Sequence, residues 1–215
     1  MPGALIFDMD GLLLDTERLF VACFEHAADS LGFVMDHDAY RDCIGTTERQ
    51  SDTILMGAYG PDFPLAEVKR ICRKRYDELL DGGHLNVKEG ALELLEHAAT
   101  EGIVCALATS TGRATAEKKL ALVDLDTRFM VTVTGDDVMS GKPHPEPYRK
   151  AAGGLGLATA ACWALEDSAN GVRSAVAAGC QVFQVPDLVA PTDDIVALGH
   201  TIVDSLEDVA KLLRS

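Results

Sequence analysis

Two carboxylates one residue apart, Asp8 and Asp10, close a run of four apolar residues, Ala4 to Phe7. Such a run reads as a short strand buried on both faces, the kind found in parallel sheets. Residues i and i+2 of an extended chain point to the same side, so both carboxylates should face one cleft. Like charges held that close require a cation or a proton between them. Gly11 follows and lets the chain turn where other residues resist. The pattern predicts a magnesium site whose first carboxylate attacks phosphorus. A calcium loop fits poorly, because Gly11 falls at the fourth loop position instead of the sixth and Leu19 holds the twelfth, where a carboxylate belongs.

Three later stretches place compatible groups where apolar runs end. Ile103 to Ala108 leads into Thr109-Ser110-Thr111-Gly112, hydroxyls and backbone N–H groups that suit a phosphate oxygen at a helix N-terminus. The same residues also make an ordinary helix cap. After Phe129 to Val133 comes Ser140-Gly141-Lys142-Pro143-His144-Pro145, which holds Lys142 on a loop of limited freedom. Its ammonium can neutralise a phosphoryl oxygen and an attacking carboxylate, or it is a solvated loop lysine. His144 reads as a plain loop histidine. Ala161 to Leu165 ends in Glu166-Asp167-Ser168-Ala169-Asn170-Gly171, an acidic pair able to join Asp8 and Asp10 around magnesium, which prefers hard oxygen ligands. A helix-capping Asp is the plainer alternative.

These groups need a sheet to gather them. From Val87 onward apolar runs, the last being Cys180 to Val185, alternate with helical stretches. That alternation predicts right-handed crossovers and a parallel sheet with helices on both sides. Ligands of such sheets bind beyond the C-terminal strand ends, where all these groups fall. Residues 16–85 differ. Phe20, Phe24, Ala27 and Leu31 recur at helical spacing before Gly32, Ser51 to Met56 form a second apolar stripe, and Pro64 opens a helix carrying Leu65, Val68, Cys72 and Leu79. No strand is predicted there. The expected architecture is α/β: a Rossmann-like core, residues 1–15 and 86–215, with an inserted α-helical domain, residues 16–85. Leu14 to Thr16 and Asp81-Gly82-Gly83 are the expected hinges.

Composition bounds the partners. The 215 residues are 47% hydrophobic and 25% charged, an ordinary globular balance, with a net charge of −15. Such a chain repels nucleic acid and anionic membrane, so neither partner is expected. It would repel a phosphorylated metabolite as well, which sharpens the need for a local cation. Six cysteines without a Cys-x-x-Cys pair read as reduced, buried thiols. Met1-Pro2 leads directly to the strand without a signal peptide, and no apolar run approaches membrane-spanning length. A cytoplasmic protein, monomeric or weakly self-associating, is the expectation.

Asp8-x-Asp10-Gly11-x-x-x-Asp15-Thr16-Glu17 resembles the first motif of the haloacid dehalogenase superfamily. Thr109, Lys142-Pro143-x-Pro145 and Glu166-Asp167-Ser168-x-x-Gly171 resemble the second, third and fourth, in the family's order. The resemblance covers nearly the whole chain, which is most similar to the β-phosphoglucomutase-like phosphatases and phosphomutases with a small helical cap. It implies a magnesium-dependent phosphatase that hydrolyses a small phosphorylated metabolite, such as a sugar phosphate, through an aspartyl-phosphate. Asp8 would be the nucleophile and Asp10 the acid–base, with Thr109, Ser110 and Lys142 holding phosphoryl oxygens. Asp8, Asp167 and the backbone carbonyl of Asp10 would bind the metal, Glu166 would hold a metal water, and Asn170 would support the loop. The cap, residues 16–85, would close over the core and contact the substrate's organic part. Within Gly45-Thr46-Thr47-Glu48-Arg49, where relatives carry a substrate loop, Arg49 is either a substrate contact or a surface arginine. The basic run Lys69 to Arg75 is a solvated face or the source of one cleft-facing cation. Lys88-Glu89-Gly90 departs from the Pro-Gly of many relatives.

Two other readings share these motifs. A β-phosphoglucomutase-type phosphomutase would have the same core and a different cap. A phospho-accepting receiver module also sets carboxylates, a Thr and a Lys around magnesium, but it places the acceptor Asp on a later strand and has no inserted cap. Phe20 bears on the mutase. Related mutases carry a histidine near this position, which couples acid–base readiness to cap closure. Leu19, Phe20 and Val21 cannot exchange protons, and His26 lies roughly 9 Å further along the helix axis. Water is therefore the expected phosphoryl acceptor.

Overall fold

A computed structural model describes residues 1–44, 46 and 48–214. The chain forms two compact units, Met1–Asp15 with Asn86–Ser215, and Thr16–Leu85. β1 (Ala4–Phe7) opens the first. The second contains α1 (Thr16–Leu31), α2 (His37–Cys43), α3 (Glu48–Tyr59) and α4 (Leu65–Asp81). The first then resumes with α5 (Ala91–Thr100), β2 (Val104–Ala108), α6 (Arg113–Leu122), β3 (Val131–Val133), α7 (Glu146–Gly154) and β4 (Cys162–Glu166). It ends with α8 (Ala169–Ala178), β5 (Gln181–Gln184), α9 (Asp193–Val196), β6 (Thr201–Ile202) and α10 (Leu206–Leu213).

Among the described residues six strands form one sheet in the order β3-β2-β1-β4-β5-β6, every neighbouring pair parallel. β1 is buried along its whole length. Its side chains alternate: Ala4 and Ile6 join Tyr148, Ala151, Val172 and Ala175 of α7 and α8. Leu5 and Phe7 are buried on the opposite face, where the Phe7 ring meets Phe129 edge-on at 6.0 Å. The chain steps from β1 to β2 to β3 in one direction, then restarts at β4 on the other edge of β1 and runs outward. That reversal is the place where open α/β sheets bind ligands. Asp8 follows the end of β1, and Glu166 ends β4.

The α/β expectation holds, with local corrections. β3 is shorter than the Phe129 to Val133 run: Phe129 is apolar because it packs on Phe7. Pro64 stands immediately before α4 instead of in its first turn. β6 and α2 carry no clear apolar period and were not anticipated. Among the described residues no strand falls within Thr16–Leu85, which builds its own core from Phe24, Ala27 and Ala28 of α1, Leu55 of α3, Phe63, and Val68 of α4. Rings reinforce it, Tyr59 stacking on Phe63 at 4.3 Å.

The chain leaves and re-enters the sheet unit side by side. Leu14 and Val87 form an antiparallel bridge, Asp15 N donates to Asn86 O at 2.9 Å, and Lys88 N donates to Leu13 O at 2.8 Å. The Lys88 ammonium, little exposed, lies 2.5 Å from Asp187 Oδ1, which gives this departure from Pro-Gly a partner. Gly90 remains necessary, since a Cβ there would stand 2.7 Å from Glu207 N. All six cysteines are free thiols. No helix among the described residues is long and apolar enough to cross a membrane.

Candidate active site

The ends of β1 and β4 and one loop meet at Asp8. Its N–H donates to Leu165 O at 3.0 Å, which ties the start of the acidic turn to β4. The Asp8 carboxylate pairs with Lys142 Nζ, and the same ammonium lies 2.5 Å from Glu166 Oε1. Glu166 is fully buried and fully satisfied: Tyr148 Oη also donates to Oε1, while Ser168 Oγ and Asp167 N donate to Oε2, each at 3.2 Å. Lys142 also sits over the Tyr148 ring, 5.2 Å from its centroid. Burial pushes the Asp8 carboxyl up to about 8 against the pull of Lys142, with Glu166 and Asp10 adding to the rise. Burial opposes the Lys142 ammonium, but Asp8 and Glu166 together outweigh it and hold its pKa above the ordinary lysine value.

Asp10 turns elsewhere. Its Oδ2 accepts from Thr111 Oγ1 at 2.6 Å and its Oδ1 from Lys119 Nζ at 2.7 Å. Thr109, buried, follows β2; its N–H donates to Val133 O at 2.9 Å and its hydroxyl accepts from Thr111 N at 3.1 Å. That second bond is a local turn which shapes the loop entering α6. Ser110 is exposed, and His144 is an exposed loop residue whose carbonyl accepts from the buried Ser174 hydroxyl at 2.6 Å.

Asp8, Glu166 and Asp167 each offer a carboxylate oxygen within 4.8 Å of the others. Hard oxygens in that number suit magnesium. Gly11, at φ +85°, keeps the space open: a Cβ there would stand 2.3 Å from Asp167 Oδ2. Asp8, Asp10, Glu166 and Asp167 face the ammonium groups of Lys119 and Lys142, a formal surplus of two negative charges. One divalent cation matches that surplus.

Of the residues singled out in the sequence, Asp8, Lys142, Glu166 and Asp167 come together directly, and Asp10 lies beside them with its carboxylate on Thr111 and Lys119. The close carboxylate trio is Asp8, Glu166 and Asp167, and the Asp10 carboxylate is outside it. Arg49 belongs to the helical unit, exposed on α3; Gly45 and Thr47 lie outside the described residues. Phe20 stacks on Tyr76 with centroids 4.4 Å apart. Sequence reasoning missed Tyr148, Lys119 and the role of Gly171, where a Cβ would fall 1.9 Å from Glu166 Cδ. Lys119 left a signal: it shares a buried helical face with Ala116 and Leu120, where a lysine is out of place.

The haloacid dehalogenase-like hydrolase family matches residues 5–185. The chain is 37% identical over 182 residues to a phosphorylated carbohydrates phosphatase of Thermotoga maritima, covering 83% of this chain and 82% of that one. It is 35% identical over 210 residues to protein CbbY of Rhodobacter capsulatus, covering 94% and 92%. A Thermotoga maritima crystal structure, provisionally assigned as a beta-phosphoglucomutase, superposes with a TM-score of 0.82 at 31% identity over 98% of each chain. With four motifs in the expected order and a family match over most of its length, the chain belongs to the haloacid dehalogenase-like hydrolases and is an enzyme of their phosphoric monoester hydrolase type.

Proposed function

We propose that this enzyme hydrolyses the phosphate monoester of a small carbohydrate-like metabolite by way of an aspartyl-phosphate on Asp8, with Mg2+ as cofactor. The observation that carries the reading is the shared ammonium of Lys142, paired at once with Asp8 and with the buried Glu166. The Lys142 ammonium favours the ionised form of a carboxylate that burial disfavours, bound Mg2+ would favour it further, and in that form Asp8 is a nucleophile.

An Asp8 oxygen forms a bond to phosphorus while the bond to the substrate's leaving oxygen breaks, and Asp10 gives its proton to that oxygen. Asp10 then takes a proton from water, whose oxygen attacks the phosphorus, and the Asp8–phosphorus bond breaks to release phosphate. Lys142, Thr109 and Ser110 hold phosphoryl oxygens, so catalysis is positioning plus charge neutralisation. Held by Asp8, Asp167 and the backbone carbonyl of Asp10, Mg2+ would supply positive charge to offset the phosphoryl oxygens. We assign residues 16–85 the role of the substrate-selecting cap, with Arg49 as its candidate substrate contact.

The phosphorylated carbohydrates phosphatase among its relatives supports this substrate class. The mutase reading draws support from the beta-phosphoglucomutase-like crystal structure. Against it, Phe20, which stacks on Tyr76, cannot exchange protons at that point of α1. The test is phosphate release from a panel of sugar phosphates with Mg2+, including β-glucose 1-phosphate with catalytic glucose 1,6-bisphosphate. Phosphate release is the expected outcome; glucose 6-phosphate forming faster than phosphate would establish the mutase instead. No phosphoryl transfer from any sugar phosphate would overturn both.

A further inference from the structure

Lys119 is used by no step above, yet it is 3% exposed and its ammonium lies 2.7 Å from Asp10 Oδ1. Burying an ammonium is costly unless a partner repays the lost hydration. The helical position between Ala116 and Leu120 would suit an apolar residue at no such cost. Asp10 itself is within reach of water, its side chain 23% exposed. Thr111 Oγ1 donates to the other carboxylate oxygen, Oδ2, at 2.6 Å. Two donors from α6 and the loop before it therefore take one oxygen each, which fixes both the plane and the roll of the Asp10 carboxylate.

The two donors are chemically unequal. An ammonium has protons to give and no lone pair, whereas a hydroxyl can donate or accept. The ammonium beside Oδ1 disfavours a proton there, so a proton carried by Asp10 is favoured on Oδ2. We propose that Lys119 is a positioning residue: with Thr111 it holds the Asp10 carboxylate in one orientation and favours the exchangeable proton on Oδ2. This rests on the acid–base role assigned to Asp10 above. In the first half-reaction the proton passes from Oδ2 to the leaving oxygen as its bond to phosphorus breaks. In the second, Oδ2 takes a proton from the water that attacks phosphorus. Lys119 keeps all its protons throughout and touches neither substrate nor the reacting atoms.

The test is Lys119→Met, which keeps the length of the side chain and removes the charge. The variant leaves the water-accessible member of the pair behind, and a melting curve checks that it folds. The quantity to compare is kcat/KM, which covers steps through departure of the leaving group, for glucose 6-phosphate and for p-nitrophenyl phosphate. The phenolate of the second departs without a proton. The expected result is a loss of about 10–100-fold on glucose 6-phosphate and of less than about 3-fold on the aryl ester, with KM nearly unchanged. In an Asp10→Asn background the same substitution should cost nothing further, because Lys119 acts only through Asp10. Equal losses on both esters, no loss on either, or a full loss in the Asp10→Asn background would each overturn the proposal. Should Lys119→Met fail to fold, Thr111→Val frees the same carboxylate from its other donor; a selective loss of about 3–10-fold on glucose 6-phosphate supports the proposal, and none overturns it. Asp10→Asn read on the same two esters separates the failures. If it shows no selective loss, the acid–base reading of Asp10 falls and takes this inference with it; if it does and Lys119→Met does not, only the inference falls.

Discussion

Gly171→Ala should destabilise this protein, against the usual sign for that change in a helix. Ala is favoured over Gly inside a helix by about 0.8–1 kcal/mol. Here the new Cβ would lie 1.9 Å from Glu166 Cδ and 2.0 Å from each carboxylate oxygen. A carboxylate on a free side chain would swing away, but this one is fully buried and held by Lys142, Tyr148 and Ser168. Moving it breaks a buried ion pair, a loss of roughly 3–5 kcal/mol, so the net destabilisation is about 2–4 kcal/mol. For a chain of this size that is a fall of roughly 5–15 °C in melting temperature, followed by circular dichroism. Lys142 loses one of its two carboxylate anchors, so turnover should fall as well. Gly153→Ala on α7 is the control, since a Cβ there meets nothing within 4 Å and should be neutral or slightly stabilising. A Gly171→Ala protein that melts at or above the wild-type temperature would refute the account of Glu166 as a fixed anchor.

Asp8→Asn should fold and retain less than about 1% of turnover, because an amide is neutral and a poor nucleophile; greater activity with deamidation excluded would sink the covalent mechanism. The same variant tests the electrostatics of the metal-free protein. Asp8 titrates at about 8 folded against an ordinary 3.8, so its contribution to stability is complete below the lower value and is lost as pH rises through the upper one. Melting temperature in EDTA should therefore fall between these limits, and Asp8→Asn should flatten that slope; an unchanged slope would assign it to other groups. Asp167→Ala should weaken Mg2+ binding measured by calorimetry at least about tenfold, and Ca2+ should inhibit, because it takes more ligands at longer distances. Activity that survives excess EDTA would remove magnesium from the mechanism.

The legible parts of this fold were those where one residue type has one plausible use. Carboxylates at the ends of buried apolar runs marked β1 and β4, and Lys142 between Gly141 and Pro143 marked the loop after β3. What escaped was set by tertiary context. Lys119 sits in a charged stretch beside Lys118, and only the packing of α6 shows that one of the two is buried while the other is exposed. Tyr148 is an unremarked residue of a short helix until Glu166 is found beneath its hydroxyl. Phe129 looks like a strand residue because packing on Phe7 demands the same apolar character as pairing would. β6 is two exposed residues, too short for any period to register.

The bridge between Leu14 and Val87 has a consequence for inheritance. Because the chain exits the sheet unit and returns at adjacent backbone positions, no strand pairing depends on what lies between. Selection can lengthen, shorten or rewrite residues 16–85 while Asp8, Lys142 and Asp167 keep their register. Replacing that segment with a two-residue turn between Asp15 and Asn86 would ask only for closure of a very short loop, at small entropic cost. If residues 16–85 select the substrate as proposed, new substrates can in this way be acquired by one stretch of sequence, while the residues gathered around Asp8 descend unchanged through another.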